Sequence, residues 1–570
     1  MTPLPDRVAA LAAAARDAPV DDGRALLAPP RDRGRADLAL PCFQIAKRQG
    51  KNPVELARAA AGSIAVAPPL ANVEAAGPYL NFTFEAGAIA EEVVGGAIAA
   101  DAGYGSSDEG AGKTVVVDFS SPNIAKPFGI HHLRSTVIGA AIGRVLRARG
   151  YAVEGVNHLG DWGTQFGQLI VAFRRWGDER RLDGEGIPYL LELYVRFNEE
   201  KEAAPELQDE ARAAFRALEA GDADCRALWA RFKEVSEAEF RRVYDILGVA
   251  FEHFTGESFY EDKMPEVLAE LEASGLLEQS DDATVVNLED DGLGVSLVKK
   301  GDDSTLYVTR DLAAAIHRHR TFGFHKALYV VGAAQSLHFK QLFRILEKLG
   351  KPFAGDMVHV PFGLLRFKDG KMSTRQGKVI FLEEVLDRAV ELARRIIEEK
   401  NPDLADRDRV ARQVGIGAVV FNDLKSRRVK DVTFDWDEIL SFEGDTGPYL
   451  QYTHARCANI FRKAGRTPGE LAAEVDYGRL ELEPERELIR VIGQLGDHVR
   501  RAAEEYEPSI VAQYLLSAAA RFNRFYNDDR CRVVGADPAT REARLALVHA
   551  TQITLRNGLA LLGLEAPDEM

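Results

Sequence analysis

The chain has 570 residues, too many for a single core, and ordinary domain sizes predict three or four domains. Its 72 Lys and Arg against 88 Asp and Glu give a formal charge of −16, which argues against a surface built throughout to neutralise a polyanion, although a local basic face can coexist with an acidic total. Cys42, Cys225, Cys457 and Cys531 are scattered, with neither a CxxC pair for zinc nor the density of a disulfide framework, so a reducing, cytoplasmic setting is expected. Asp6, Arg7 and Arg16 interrupt the alanines of the amino terminus, which makes a secretory leader improbable. No apolar run approaches the roughly 20 residues that a bilayer crossing needs, so no membrane association is expected.

In chain order, residues 1–108 read as a small α/β module. Its Ala-rich amphipathic helices precede Gly77-Pro78-Tyr79-Leu80-Asn81-Phe82-Thr83-Phe84, whose aromatic alternation predicts a strand. A Gly/Ser-rich linker at 105–110 follows. Over 109–385, β-rich runs alternate with helical patterns, as in a parallel sheet covered by helices; the predicted strands are 114–119, 151–157, 306–309, 327–331 and 357–360. Charged helices such as 205–247, then a Val/Asp/Gly-rich segment fit for a hairpin, interrupt that alternation between about 170 and 300 and read as an insertion. Residues 386–435 read as a connecting helical region, and 436–570 as a helical bundle, with 383–400, 450–463, 485–505 and 509–527 the clearest helical stretches of the carboxy-terminal part. No low-complexity tract or fixed-period repeat is evident.

The chemistry-bearing segments come next. Ser120-Ser121-Pro122-Asn123-Ile124-Ala125-Lys126-Pro127-Phe128-Gly129-Ile130-His131-His132-Leu133-Arg134-Ser135-Thr136 follows the apolar Val115, Val116 and Val117 and opens a helix. A strand that ends in a loop and feeds a helix amino terminus offers unpaired N–H groups and a positive dipole end to an anion. Lys371-Met372-Ser373-Thr374-Arg375 lies in a loop after a second apolar stretch. On these two segments the chain resembles the class I aminoacyl-tRNA synthetases. The flanks around Gly129–His132, together with Gly160-Asp161-Trp162-Gly163-Thr164-Gln165-Phe166-Gly167 and Leu306-Tyr307-Val308-Thr309-Arg310-Asp311, are similar to the arginyl-tRNA synthetases among them.

That resemblance implies an α/β fold: a Rossmann-like parallel-sheet catalytic domain with insertions, a small N-terminal α/β domain and a C-terminal α-helical bundle. It also implies ligation of L-arginine to tRNA(Arg) through an arginyl-adenylate, with ATP consumed and magnesium expected alongside it, no protein-bound metal, and a monomer that needs tRNA before it activates arginine. Phe128, Gly129, His132, Lys371 and Met372 would bind ATP. Lys126, His131, His132, Lys371, Ser373 and Arg375 would carry the catalysis, chiefly by neutralising charge that builds on the leaving pyrophosphate. The chain departs from the family's His-x-Gly-His core, since Gly129 stands at its first histidine and His131 at its glycine. His131 is therefore expected to supply the missing imidazole and Gly129 the close approach.

A guanidinium presents donors in a fixed fork that carboxylates and amide oxygens match. The resemblance assigns Asp118, Ser121, Asn123, His132, Tyr307, Asp311 and Gln335 to arginine, with Asp161 and Gln165 as further polar contacts nearby. Acidic residues outnumber basic ones in 401–570, yet Tyr449, Tyr452 and Arg456 share one helical face, and aromatic and guanidinium planes are what splayed bases stack on. By resemblance Tyr452, Arg456, Tyr526 and Met570 would meet the anticodon stem and loop. Tyr79, Asn81 and Phe82 would meet the tRNA D-loop, whereas Tyr449 and Phe525 are expected in the core. Two other readings stay open: another class I synthetase, or a non-catalytic tRNA-binding paralogue, which Gly129 in place of histidine suggests.

Overall fold

The computed structural model describes residues 8–13, 26–27, 30, 36–280, 283–299, 307–367 and 381–570. Five parallel strands form the central sheet, in the spatial order Met357–Phe362, Lys326–Gly332, Thr114–Asp118, Ala152–Asn157 and His253–Phe254. Val115, Val116 and Val117 are buried on both faces of the middle strand, the pattern of a sheet covered by helices on both sides. From Thr114–Asp118 the chain fills one side of the sheet and then returns to fill the other. The carboxyl ends of Thr114–Asp118 and Lys326–Gly332 therefore flank the topological switch point, where open α/β sheets bind their ligands.

Four of the five predicted strands are present, each within two residues at its ends. The fifth is not: Tyr307–Phe322 is a helix. Val308, Leu312, Ala315 and Ile316 are among its buried residues, a stripe of helical period that outweighs the β-branched look of a run too short to decide the matter. The interruption expected as one block is also divided, because His253–Phe254 pairs with Val156 and Asn157 as the edge of the central sheet. Before it come helices including Thr164–Trp176, Glu206–Glu219 and Ala223–Leu247; after it comes a three-stranded antiparallel sheet, Leu277–Ser280, Ala283–Leu288 and Gly294–Lys299. That sheet extends the predicted hairpin by one strand.

The first module pairs Leu38–Pro41 and Leu70–Ala76 with the middle strand Tyr79–Phe84, all antiparallel. Its helix Pro53–Ser63 is capped by Asn52, whose side chain accepts from the N–H groups of Val54 and Glu55. Beyond Leu382 the chain is mainly helical. The expected helix over 485–505 is two, Glu483–Ile492 and Leu495–Glu505, and they break at Gly493, whose missing Cβ would lie 3.1 Å from a Val93 methyl.

Two buried connections tie this helical region to the sheet. Arg134, on the helix Leu133–Ala148, places Nε 3.0 Å from Asp423 Oδ2, both side chains 1 % exposed. It also donates to the carbonyls of Arg428 and Lys430. The segment so held carries Val432–Phe434, which pairs in parallel with Leu365–Phe367.

Candidate active site

The loop after Thr114–Asp118 is shaped by left-handed residues, Ser120 at φ 71°, Ser121 at 51° and Ala125 at 57°. Such conformations cost L-residues energy and persist where neighbours over-determine them. Here they do: Ser120 N–H donates to Ser135 Oγ, its hydroxyl lies 2.7 Å from Thr136 Oγ1 and 2.8 Å from the Tyr244 hydroxyl, and Ala125 N–H donates to Ser236 Oγ. Ser135 in turn donates to the Val330 carbonyl on the neighbouring strand. The loop is stitched to both sides of the switch point and to the helix Ala223–Leu247.

The short 3-10 turn Ile130–His132 then leads into Leu133–Ala148. Gly129 is extended, with φ −81°. The rings of His131 and His132 lie 3.9 Å apart, and Phe128 packs 5.1 Å from the His132 ring. His131 is exposed. Burial, then the neighbouring His131 and Lys126 charges, push His132 down to about 3, so without a ligand it is a neutral imidazole. Its buried Nδ1 has no hydrogen-bond partner among the described residues. Lys126 is exposed beside it.

Lys371, Met372, Ser373 and Arg375 lie outside the described residues. The chain that follows them returns to the first signature, since Phe381 bridges Gly129 and Leu382 N–H donates to the Phe128 carbonyl.

Asn123 and Gly160 form a parallel bridge, with Ile124 N–H donating to the Gly160 carbonyl and Gly160 N–H to the Pro122 carbonyl. A Cβ at position 160 would sit 2.0 Å from Asn123 Oδ1, so the glycine is required for the two loops to touch. Asp161 points away from this junction. Fully buried, it accepts from Lys233 Nζ at 2.7 Å and from the Ser258 amide and hydroxyl at 2.8 and 2.7 Å, so its carboxylate is consumed in bracing the surrounding turns. Trp162 and Phe166 are core residues.

Asp118 is also committed within the chain. One oxygen accepts from the Ser121 hydroxyl at 3.1 Å, and the other pairs with Arg318 Nη1 at 2.7 Å. Its charge is thus already paired with a buried guanidinium. Tyr307 opens the helix that carries Arg318 and Asp311. Asp311 is part-exposed and bonded to His338, Nε2 to Oδ2 at 2.6 Å. Gln335 is exposed in a turn after Lys326–Gly332, and Asn123 is exposed too.

Glu257 escaped the sequence reading. Its Oε2 is buried with no hydrogen-bond partner among the described residues, and burial pushes the group up to about 8, opposed by Arg310 and reinforced by Asp311 and Asp161. Glu257 and Asp311 thus make an acidic corner whose neighbouring guanidiniums, Arg310 and Arg318, are already paired with Glu261 and Asp118, an arrangement that a further guanidinium can satisfy. Nothing local in Thr255-Gly256-Glu257-Ser258 signals this, since only the fold brings that turn beside Asp311.

In the helical domain Arg456 lies between Tyr452 and Tyr526, 4.9 and 4.7 Å from their ring centres. The two tyrosines are 39 % and 40 % exposed. Asn523 bonds both Arg456 and the Tyr449 hydroxyl, and Met570 joins the wall of the same cleft, about 600 Å³ in volume. Phe525 is buried as expected. In the first module Tyr79 is exposed beside Phe43, but Phe82 is fully buried and Asn81 nearly so. The expectation of nucleic-acid contact at Asn81 and Phe82 is therefore corrected, because both side chains are turned into the module's interior.

A parallel sheet with this switch-point loop, joined to an α-helical domain, is the architecture of the class I aminoacyl-tRNA synthetases. Three family models match in succession: the Arginyl tRNA synthetase N terminal domain over residues 7–84, tRNA synthetases class I (R), catalytic domain, over 94–436, and the DALR anticodon binding domain over 450–570. An arginine--tRNA ligase of an Exiguobacterium species is 49 % identical, covering 97 % of this chain and 96 % of its own. That of Clostridioides difficile is 46 % identical, covering 96 % of each. The solved Thermus thermophilus arginyl-tRNA synthetase matches the whole of both chains with a TM-score of 0.82 at 26 % identity. The chain belongs to the arginyl-tRNA synthetase family.

Proposed function

We propose that the chain attaches L-arginine to tRNA(Arg) in two steps at the switch-point crevice. The arginine carboxylate attacks the α-phosphate of MgATP and pyrophosphate leaves; a terminal ribose hydroxyl of the tRNA then takes the arginyl group from the adenylate, releasing AMP. Magnesium enters with the nucleotide as part of the substrate. No protein nucleophile takes part, so catalysis lies in positioning and charge neutralisation.

In this reading Phe128 and Gly129 border the adenosine, and His132 donates as a neutral imidazole. His131 takes up the role of the absent first histidine. Lys126, with Lys371, Met372, Ser373 and Arg375 from the second signature, acts on the phosphates. Asp311, Glu257 and Tyr307 take the guanidinium; Asn123, Ser121 and Gln335 take the amino-acid end, while Asp118 holds Arg318 and Ser121 in place. Tyr452, Arg456, Tyr526 and Met570 dock the anticodon stem and loop, and Tyr79 touches the outer corner of the tRNA. The protein works as a cytoplasmic monomer. The acidic corner of Glu257 and Asp311 beside the signature loop carries this reading, because it selects arginine among amino acids.

Arginine-dependent ATP–pyrophosphate exchange, measured with and without tRNA(Arg), tests it. Exchange that requires both arginine and the tRNA is expected. Exchange driven by another amino acid would assign a different specificity, and tRNA binding without exchange under any condition would make the chain a non-catalytic binder.

A further inference from the structure

Asp311 is not bare. His338, on the helix Ser336–Lys348, reaches across to the helix Tyr307–Phe322 and closes a 2.6 Å contact from Nε2 to Oδ2. The two side chains are 26 % and 28 % exposed, so the pair lines the crevice rather than the core. No partner of the other oxygen, Oδ1, is found among the described residues. The corner is otherwise crowded with groups already engaged. Arg318, from the same helix as Asp311, is paired with Asp118, and Arg310 donates to Glu261. His359, stacked on Phe339 at 4.6 Å, bonds the Val331 carbonyl and has Arg428 nearby. The Tyr329 hydroxyl is buried beside the Arg318 guanidinium, and Glu257, in the 3-10 turn Glu257–Lys263, is near enough for the Asp311 charge to act on it.

We propose that His338 is the positioning residue for the arginine site: a neutral imidazole, donating from Nε2 to Asp311 Oδ2, fixes the carboxylate and reserves Oδ1 for the substrate guanidinium. A carboxylate with one oxygen tied keeps its full charge but loses rotational freedom, so less ordering is left for the substrate to impose. The same contact makes arginine binding pH-sensitive. Protonated His338 is a cation already paired with Asp311, and it opposes the incoming guanidinium. Burial disfavours that protonated form, but the bond to Asp311 and its charge outweigh burial and raise the histidine, so the competing ion persists closer to neutrality than for a free imidazole.

The inference rests on Asp311 being the guanidinium ligand. The test is KM and kcat for arginine in ATP–pyrophosphate exchange by the full chain with tRNA(Arg), from pH 5.5 to 8.5, for wild type, His338→Ala and His338→Gln. His338→Ala should raise KM about tenfold at pH 8.5, as loss of a charge-assisted bond does, with a penalty that shrinks on the acid side as the wild-type KM itself rises, and with kcat nearly unchanged. His338→Gln keeps a donor but cannot ionise. It should match wild type at pH 8.5 and lack the rise in wild-type KM on the acid side. Taking the ratio of the two KM values at each pH cancels the titration of Glu257 and the other groups. A His338→Gln enzyme with the wild-type pH profile, or an alanine variant with unchanged KM, overturns the proposal; if the alanine variant does not fold, the glutamine profile alone decides. Wild type without arginine-dependent exchange would instead sink the activity reading.

Discussion

Arg318 and Arg456 each lie between two tyrosine rings, in two regions that make opposite use of the arrangement. Arg318, 6.0 and 5.6 Å from the centres of Tyr260 and Tyr329, is 2 % exposed and paired with Asp118. Arg456 lies closer to its rings, which are open to solvent, and among the described residues it has an amide partner but no acidic one. A buried cation demands its counter-ion, so the first trio is spent inside the molecule and stiffens the floor of the crevice. Half-exposed rings with an unneutralised guanidinium are still available to a partner that brings both negative charge and flat bases. Composition alone does not separate the two; burial and the presence of a carboxylate do.

The sharpest way to break the comparison is to remove the counter-ion. Asp118→Ala strands Arg318 in the interior and should destabilise the fold by about 3–5 kcal/mol, read from denaturant unfolding; a midpoint equal to wild type would mean that Arg318 finds water or another acid. Arg456→Ala should leave that midpoint in place and weaken tRNA binding by about 1–3 kcal/mol at fixed salt. If its stability falls instead, the trio in the helical domain is scaffolding as well.

Glu257 offers a smaller, pH-dependent contrast within the crevice. Its raised value keeps it protonated until about pH 8, so its negative charge becomes freely available only above that point. The penalty of Glu257→Gln on arginine KM should therefore grow as pH rises, reaching about tenfold near pH 9 and shrinking below pH 7; a penalty independent of pH would deny the carboxylate its charge role. Gly160→Ala forces a Cβ against Asn123 and should cost about 1 kcal/mol or somewhat more in stability, with a raised arginine KM. A neutral outcome would show that the two loops separate easily.

Much of the fold was legible. The alternation of β-branched runs with amphipathic helices announced a parallel sheet, and apolar residues at helical spacing announced the carboxy-terminal helices. The run at 306–309 misled because four residues carry too little periodicity, and the stripe that decides in favour of helix lies further on, at Leu312, Ala315 and Ile316. At the site, residue types in the two signatures pointed to nucleotide chemistry, but their individual fates did not follow from type. Asp118, Asp161 and Asp311 look equally available in the sequence. One is neutralised by Arg318, one is enclosed by Lys233 and Ser258, and one is part-exposed and bonded to His338 through a single oxygen.

Periodicity, glycine placement and the strand-to-helix signature act over a few residues, and local sterics and hydrogen bonding are enough to make them readable along the chain. The acidic corner of Glu257 and Asp311, the hold of His338 and the difference between Arg318 and Arg456 depend on groups far apart in sequence. Charge and burial act through space, so only the packed structure decides which of these side chains is satisfied internally and which is left to bind.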